Sequence, residues 1–126
     1  LYCESAEKYK ATVEQGGNYV AFAFNNWGNA LYDLAKLSQD NDFNKCLKEY
    51  VAAHSAIKDA PSYNLACVFA LIGDKTNALL YLDKSLKKNG MFIKNVLKDK
   101  DWQTYLDDAE FQALLNRYRG GARLWR

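Results

Sequence analysis

The chain has 126 residues, a formal net charge of +2, and 49% hydrophobic against 25% charged residues. That balance belongs to a folded chain rather than a disordered one, and the length suits one domain built around one core. So small a positive excess gives no reason to expect nucleic acid or an anionic membrane, and no apolar run approaches the roughly 18 residues of a spanning helix. A single proline and seven glycines leave long uninterrupted stretches, which favours helices over a many-stranded sandwich. The chain starts at Leu1 with no basic-then-apolar leader. It reads as a fragment or processed form, with any targeting signal out of view.

Tyr2, Ala6, Tyr9 and Val13 recur at steps of three and four and predict a helix over 2–14, ended by Gly16-Gly17-Asn18. Val20 to Leu37 reads as a longer helix, with Phe24, Trp27, Leu31, Leu34 and Ala35 on one face. Ser38 to Asp42 is polar and turn-prone. Phe43 to Ile57 then reads as a helix with Phe43, Cys46, Leu47, Tyr50 and Ala53 inward. Asp59-Ala60-Pro61 looks like a helix start, because proline fits a first turn where its missing N–H costs nothing. That helix runs through Leu65, Ala66, Phe69 and Ala70 to Gly73. Asp74 can cap the next, which begins at Lys75, shows Ala78, Leu79, Leu82 and Leu86, and stops at Asn89-Gly90. Phe92, Val96 and Leu97 suggest a short helix, and Trp102, Tyr105 and Leu106 another. Asp107-Asp108 opens a last amphipathic helix carrying Phe111, Leu114, Leu115 and Tyr118. No stretch alternates apolar and polar residues long enough for a strand, so the expected class is all-α.

Chemistry is sparse. Cys3, Cys46 and Cys67 are odd in number and match neither a zinc site nor a redox pair. Each falls on the packed side of a helix, where three buried thiols are expected, and with them a reducing, cytoplasmic location. The lone histidine, His54, is expected as a solvated or capped side chain. No G-x-S-x-G, P-loop, dinucleotide glycine pattern or H-E-x-x-H occurs. The parts for acyl transfer, nucleotide binding and zinc hydrolysis are therefore missing, and neither enzyme activity, cofactor nor metal is expected. Asp99-Lys100-Asp101 and Asp107-Asp108-Ala109-Glu110 are acidic clusters without calcium-loop spacing, and helix capping accounts for the second.

An internal repeat carries most of the information. Ser5, Tyr9 and Thr12 are spaced like Cys46, Tyr50 and Ala53, an offset of 41 from Ser5 to Cys46, and Ala78, Leu82 and Ser85 keep that spacing. The preceding helices repeat too: Phe24, Trp27, Gly28 and Leu31 correspond to Ser62, Leu65, Ala66 and Phe69, an offset of 38 from Trp27 to Leu65. A small residue at Gly28 or Ala66 lets one helix approach its neighbour closely, and large residues fill the groove beside it. A hairpin cannot bury its apolar face alone, so copies stack. The string Phe24-x2-Trp27-Gly28-x2-Leu31, followed by Cys46, Tyr50 and Ala53, resembles the tetratricopeptide repeat, as does Ser62-x2-Leu65-Ala66-x2-Phe69 followed by Ala78, Leu82 and Ser85. The likeness covers about residues 1–90. The first full repeat, at 38 residues, exceeds the usual roughly 34, and the excess lies near Ser38 to Asp42.

The resemblance implies stacked antiparallel hairpins forming a right-handed α-solenoid in one domain over 1–118. Residues 1–15 would be the second helix of a partial repeat, 20–57 and 59–90 full repeats, and 91–118 a divergent cap. Residues 119–126 would be a basic tail or a non-native extension. It also implies a protein-binding scaffold whose first helices line a concave groove for a peptide or protein. Carried over, the exposed groove residues are Phe22, Asn25, Asn29 and Tyr32, then Tyr63, Cys67 and Ala70. Asn29 suits a carboxylate-gripping arrangement, yet Asn25, Tyr63 and Cys67 bring no positive charge, so no strong carboxylate clamp is expected. Two alternatives stay open. Residues 74–100 hold seven lysines against three aspartates, and a basic patch at Lys84, Lys87 and Lys88 would suit an acidic partner, nucleic acid or anionic membrane. Exposed end helices would also permit self-association through Tyr2 and Tyr9.

Overall fold

The structure, a computed structural model, describes residues 20–56, 62–88 and 93–119, with side chains described for 23–56, 62–87 and 93–119. Among these residues every regular element is helical: α1 (Val20–Leu37), α2 (Asn41–Ala56), α3 (Tyr63–Ile72), α4 (Lys75–Lys88), α5 (Ile93–Lys98), the 3-10 helix η1 (Lys100–Tyr105) and α6 (Ala109–Tyr118). The expected helix over 2–14, the turns at 16–18 and 89–90, the start at 59–61, self-association through Tyr2 and Tyr9, and the tail beyond Arg119 lie outside the described residues. No described helix is long and apolar enough to cross a membrane.

α1 packs against both α2 and α3, α3 against α4, η1 against α3 and α5, and α6 against α4. The expected stripes are the ones that pack. Phe24, Trp27, Leu31 and Ala35 of α1 are buried, whereas Leu34 is half-buried. The Phe24 ring stacks on Tyr50 of α2 at 4.3 Å between centroids, and Trp27 meets the same ring edge-on at 5.0 Å. Offset and edge-to-face pairs of this kind add to what area burial alone gives. α2 also turns Phe43 and Cys46 inward, with Leu47 and Ala53 half-buried. Between α3 and α4 the joint is Phe69 stacked on Tyr81 at 5.6 Å, with Ala78 and Leu82 fully covered.

The space that permits this packing is at Gly28. A Cβ there would come within 2.5 Å of the Tyr50 hydroxyl and 3.1 Å of Asn64 Cβ. The backbone of α1 thus passes against α2 and α3 at a point where only hydrogen fits. Gly73 has a different task. At φ +86° it closes α3 in the left-handed region, with its N–H bonded to Ala70 O and that of Asp74 to Phe69 O, a helix stop that a residue with Cβ adopts at a cost. Asp74 then accepts from Asn77 N at 3.2 Å and starts α4 as expected.

Three expectations need correction. The turn after α1 is shorter than Ser38 to Asp42, because Asp40 Oδ1 accepts from Phe43 N at 3.0 Å and α2 begins at Asn41. His54 is not solvated: at 8% exposure it bonds Ser62 Oγ at 2.9 Å and meets Tyr81 edge-on. Three free thiols are not present either, since Cys46 is disulfide-bonded and Cys67 is the free, buried one. An odd cysteine count is compatible with one pair and a remainder. The reducing location argued from free thiols loses that support.

The elements from α5 onward pack on the earlier ones through η1 against α3 and α6 against α4. Trp102 is buried against Phe111, with rings stacked at 5.7 Å, and Val96, Leu114 and Leu115 complete the cluster. Asp108 caps α6 by accepting from Phe111 N at 3.0 Å, and it meets Lys75 Nζ of α4 at 3.0 Å. The backbone bond first, and Lys75 second, hold its carboxyl below the ordinary 3.8. A lowered folded value stabilises above the unfolded one and is lost as pH falls through the folded one. Acidification below about pH 4 should therefore loosen the start of α6. Amide exchange at Phe111 should speed up there in the native chain and be fast at every pH in Asp108→Ala.

Candidate functional site

The face made by α1 and α3 side by side is where sequence reasoning placed a groove. Where the two helices come closest, beside Gly28, three amides meet. Asn64 Nδ2 donates to Asn25 Oδ1 at 3.1 Å and to Asn29 Oδ1 at 3.0 Å. Asn25 and Asn29 stand one turn apart on α1, so one amide from α3 bridges both. Each lies on the surface, and Asn25 and Asn29 are exposed. The bridge uses the carbonyls of the α1 pair and the N–H groups of Asn64. The N–H groups of Asn25 and Asn29 and the carbonyl of Asn64 are left to other partners, which gives the cluster donors and an acceptor at fixed positions.

Further along the same face the arrangement differs from expectation. Tyr32 donates to the carboxylate of Asp101 at 2.7 Å, and Tyr63 donates to Asp99 Oδ2 at 2.6 Å while accepting from Trp102 Nε1 at 3.1 Å. Cys67 Sγ lies 3.9 Å from Asp99 Oδ2, and Tyr105 Oη reaches Ala70 O at 3.5 Å. Residues 99–105 of the chain itself thus cover this half of the face. Cys67 and Ala70, which the resemblance put in the exposed groove, are only 4% and 7% exposed, as the buried-thiol reading of Cys67 expects, and Tyr32 and Tyr63 are half-buried. The physical reason is Trp102. Burying its ring against Phe111 draws η1 down onto α3, and the flanking aspartates arrive at the two tyrosine hydroxyls. Of the remaining predicted residues, Lys84 and Lys87 are exposed on α4, with Lys84 Nζ 5.1 Å from the Tyr81 ring centroid. The side chains of Phe22 and Lys88 lie outside the described set.

The electrostatics of the covered half follow from this geometry. Burial first, and the Asp101 bond second, push the Tyr32 hydroxyl up; burial chiefly does the same to Tyr63. Burial, and then the charge of Asp99, push the Cys67 thiol up, so it stays protonated and is a poor nucleophile or metal ligand. Cys67, Asp99 and Asp101 offer ligand atoms within 4.8 Å of one another, but both carboxylates already take phenolic hydrogens. His54 and Ser62 are within bonding distance, yet both are buried, at 8% and 5% exposure, with His54 set between the Phe24 and Tyr81 rings. What the face can offer from solvent is hydrogen bonding through fixed amides.

Comparison with family models, with curated proteins and with solved structures gives no match. Asn25 and Asn29 are exposed as expected, and the structure brings to them Asn64, which the sequence did not single out. The repeat offset of 38 sets Asn64 against Asn26, one place from Asn25 and three from Asn29, and alignment of the copies does not say which residues meet across helices. Asp99 and Asp101 were visible as an acidic cluster, but nothing in their spacing points back to α1 and α3.

Proposed function

We propose that this chain is a protein-interaction module of tetratricopeptide type, without catalysis, whose partner docks on the α1/α3 face at the Asn25–Asn29–Asn64 amide cluster. The bridge from Asn64 to both α1 asparagines is the observation that carries this reading. It fixes three amides on neighbouring helices, and side-chain amides both donate to and accept from the N–H and C=O groups of an extended peptide. The packing of α1 on both α2 and α3 supports stacked hairpins, and the solenoid itself is part of the proposal. Recognition is centred on the amide half of the face, because the chain's own residues 99–105 fill the other half.

The test is a screen of labelled peptides, neutral and acidic, by fluorescence polarisation. A binder is expected to weaken up to about tenfold in Asn64→Ala, the worth of one net hydrogen bond of about 1 kcal/mol plus the lost bridge. Its affinity should change little between low and moderate salt. An affinity that falls steeply with salt, and that responds to charge reversal at Lys84 and Lys87 instead, would assign binding to the basic surface.

A further inference from the structure

Two carboxylates, Asp99 and Asp101, meet at the junction of three elements. The Asp101 N–H donates to Asp99 Oδ1 at 3.0 Å, so the two residues share one tight turn. Each carboxylate is half-buried and takes a phenolic hydrogen from a different helix, Asp101 from Tyr32 of α1 and Asp99 from Tyr63 of α3. Their oxygens and the Cys67 sulfur all fall within 4.8 Å. The groups facing Asp101 are Tyr32 from α1, whose ring lies under Lys36 at 4.6 Å, Tyr63 and Cys67 from α3, and Asp99 and Lys100 from its own segment. α5 brings Lys94 and Lys98, both exposed, and α6 meets η1 through the apolar ring of Phe111. A negative charge on Asp101, this close to a second carboxyl and partly out of water, is disfavoured relative to the protonated form.

We propose that this carboxylate pair is a pH-responsive latch: η1 docks most firmly on α1 and α3 when one proton from solvent sits on Asp101, and less firmly once Asp101 has lost it. Burial first, and the charge of Asp99 in addition, raise Asp101 above its ordinary 3.8, while the Tyr32 bond opposes the rise. A raised folded value stabilises below the unfolded one and is lost as pH climbs through the folded one. The latch is therefore strongest near the ordinary aspartate value and weakens toward neutrality, the reverse of the Asp108 cap. As it weakens, the cover over Cys67 and Ala70 loosens. The inference does not depend on what binds the amide cluster.

The test compares the whole chain with Asp101→Asn. Asparagine keeps an acceptor for Tyr32 and puts an N–H beside Asp99, in effect a permanent proton. The variant is expected to melt several degrees above the parent at pH 7, with the difference shrinking toward zero by pH 4. Taking the difference cancels the opposite contribution of Asp108. An Asn variant no more stable than the parent at pH 7, or a difference that does not change with pH, overturns the proposal. Should the variant not fold, a carbon-13 carboxyl titration of the parent decides. An Asp101 midpoint above the ordinary value supports the latch, and one at or below it sinks it.

Discussion

Replacing Trp102 by alanine should lower stability by about 3–5 kcal/mol, the range for emptying a fully buried large aromatic site. Trp102 has no exposed surface, stacks on Phe111 at 5.7 Å, touches Tyr105 at 5.8 Å and donates Nε1–H to Tyr63. The Phe111 stack ties η1 to α6 and the Tyr63 bond ties it to α3, so the cavity would open where three elements meet. A globular chain of this size has about 5–15 kcal/mol in total, and such a loss would be a large part of it. The measurement is urea unfolding, where the midpoint should fall with little change in slope. Trp102→Phe separates the ring from its hydrogen bond. It keeps most of the buried area and should cost about 1 kcal/mol. If alanine and phenylalanine are equally mild, the cap is not held by this ring, and the covering of Tyr32 and Tyr63 needs another cause.

The same ring marks the limit of what the sequence made legible. The helices themselves were readable, because steps of three and four at Phe24, Trp27 and Leu31, or at Phe111, Leu114 and Leu115, leave one stripe that must be buried. The stops were readable where chemistry is local, as at Gly73 and Asp74. Asp40 shows how a cap moves a boundary: once its carboxylate takes the Phe43 N–H, a stretch that looked like a loop becomes the first turn of α2. His54 was misjudged because its partner, Ser62, lies beyond the end of its helix and its enclosing ring, Tyr81, two helices away. The candidate face failed in the same manner. Which helix faces adjoin can be argued from small residues, whereas whether a later segment folds back over them depends on a contact of Trp102 with Phe111 and α3 that no periodicity encodes. Asn25 and Asn29 came from the tetratricopeptide resemblance, as exposed residues beside the Trp27 stripe, and the structure leaves them exposed. Asn64 and Asp101 act across 35 and 69 residues of chain.

Gly28→Val should destabilise by about 2–3 kcal/mol, and Gly28→Ala by about 1 kcal/mol, from two opposing effects. Leaving glycine favours the helix by up to about 1 kcal/mol, but forcing carbon into a filled site costs about 1–3 kcal/mol. Clash prevails here because the nearest atoms are not free to retreat. Tyr50 is buried between Phe24 and Trp27, and Asn64 Cβ is fixed to the α3 backbone. The closest obstacle to a new Cβ is the Tyr50 hydroxyl, at 2.5 Å, and that oxygen makes only a long 3.4 Å bond to Phe24 O. Tyr50→Phe should therefore be mild alone and should reduce the cost of Gly28→Ala when the two are combined. The double-mutant cycle isolates this coupling. Additivity would shift the clash from the Tyr50 hydroxyl to Asn64, whose Cβ lies 3.1 Å from the new carbon. Additivity together with a Gly28→Ala that costs nothing would mean that the helices already have room there, and that the close approach bringing Asn64 up to Asn25 and Asn29 rests on something other than the missing side chain.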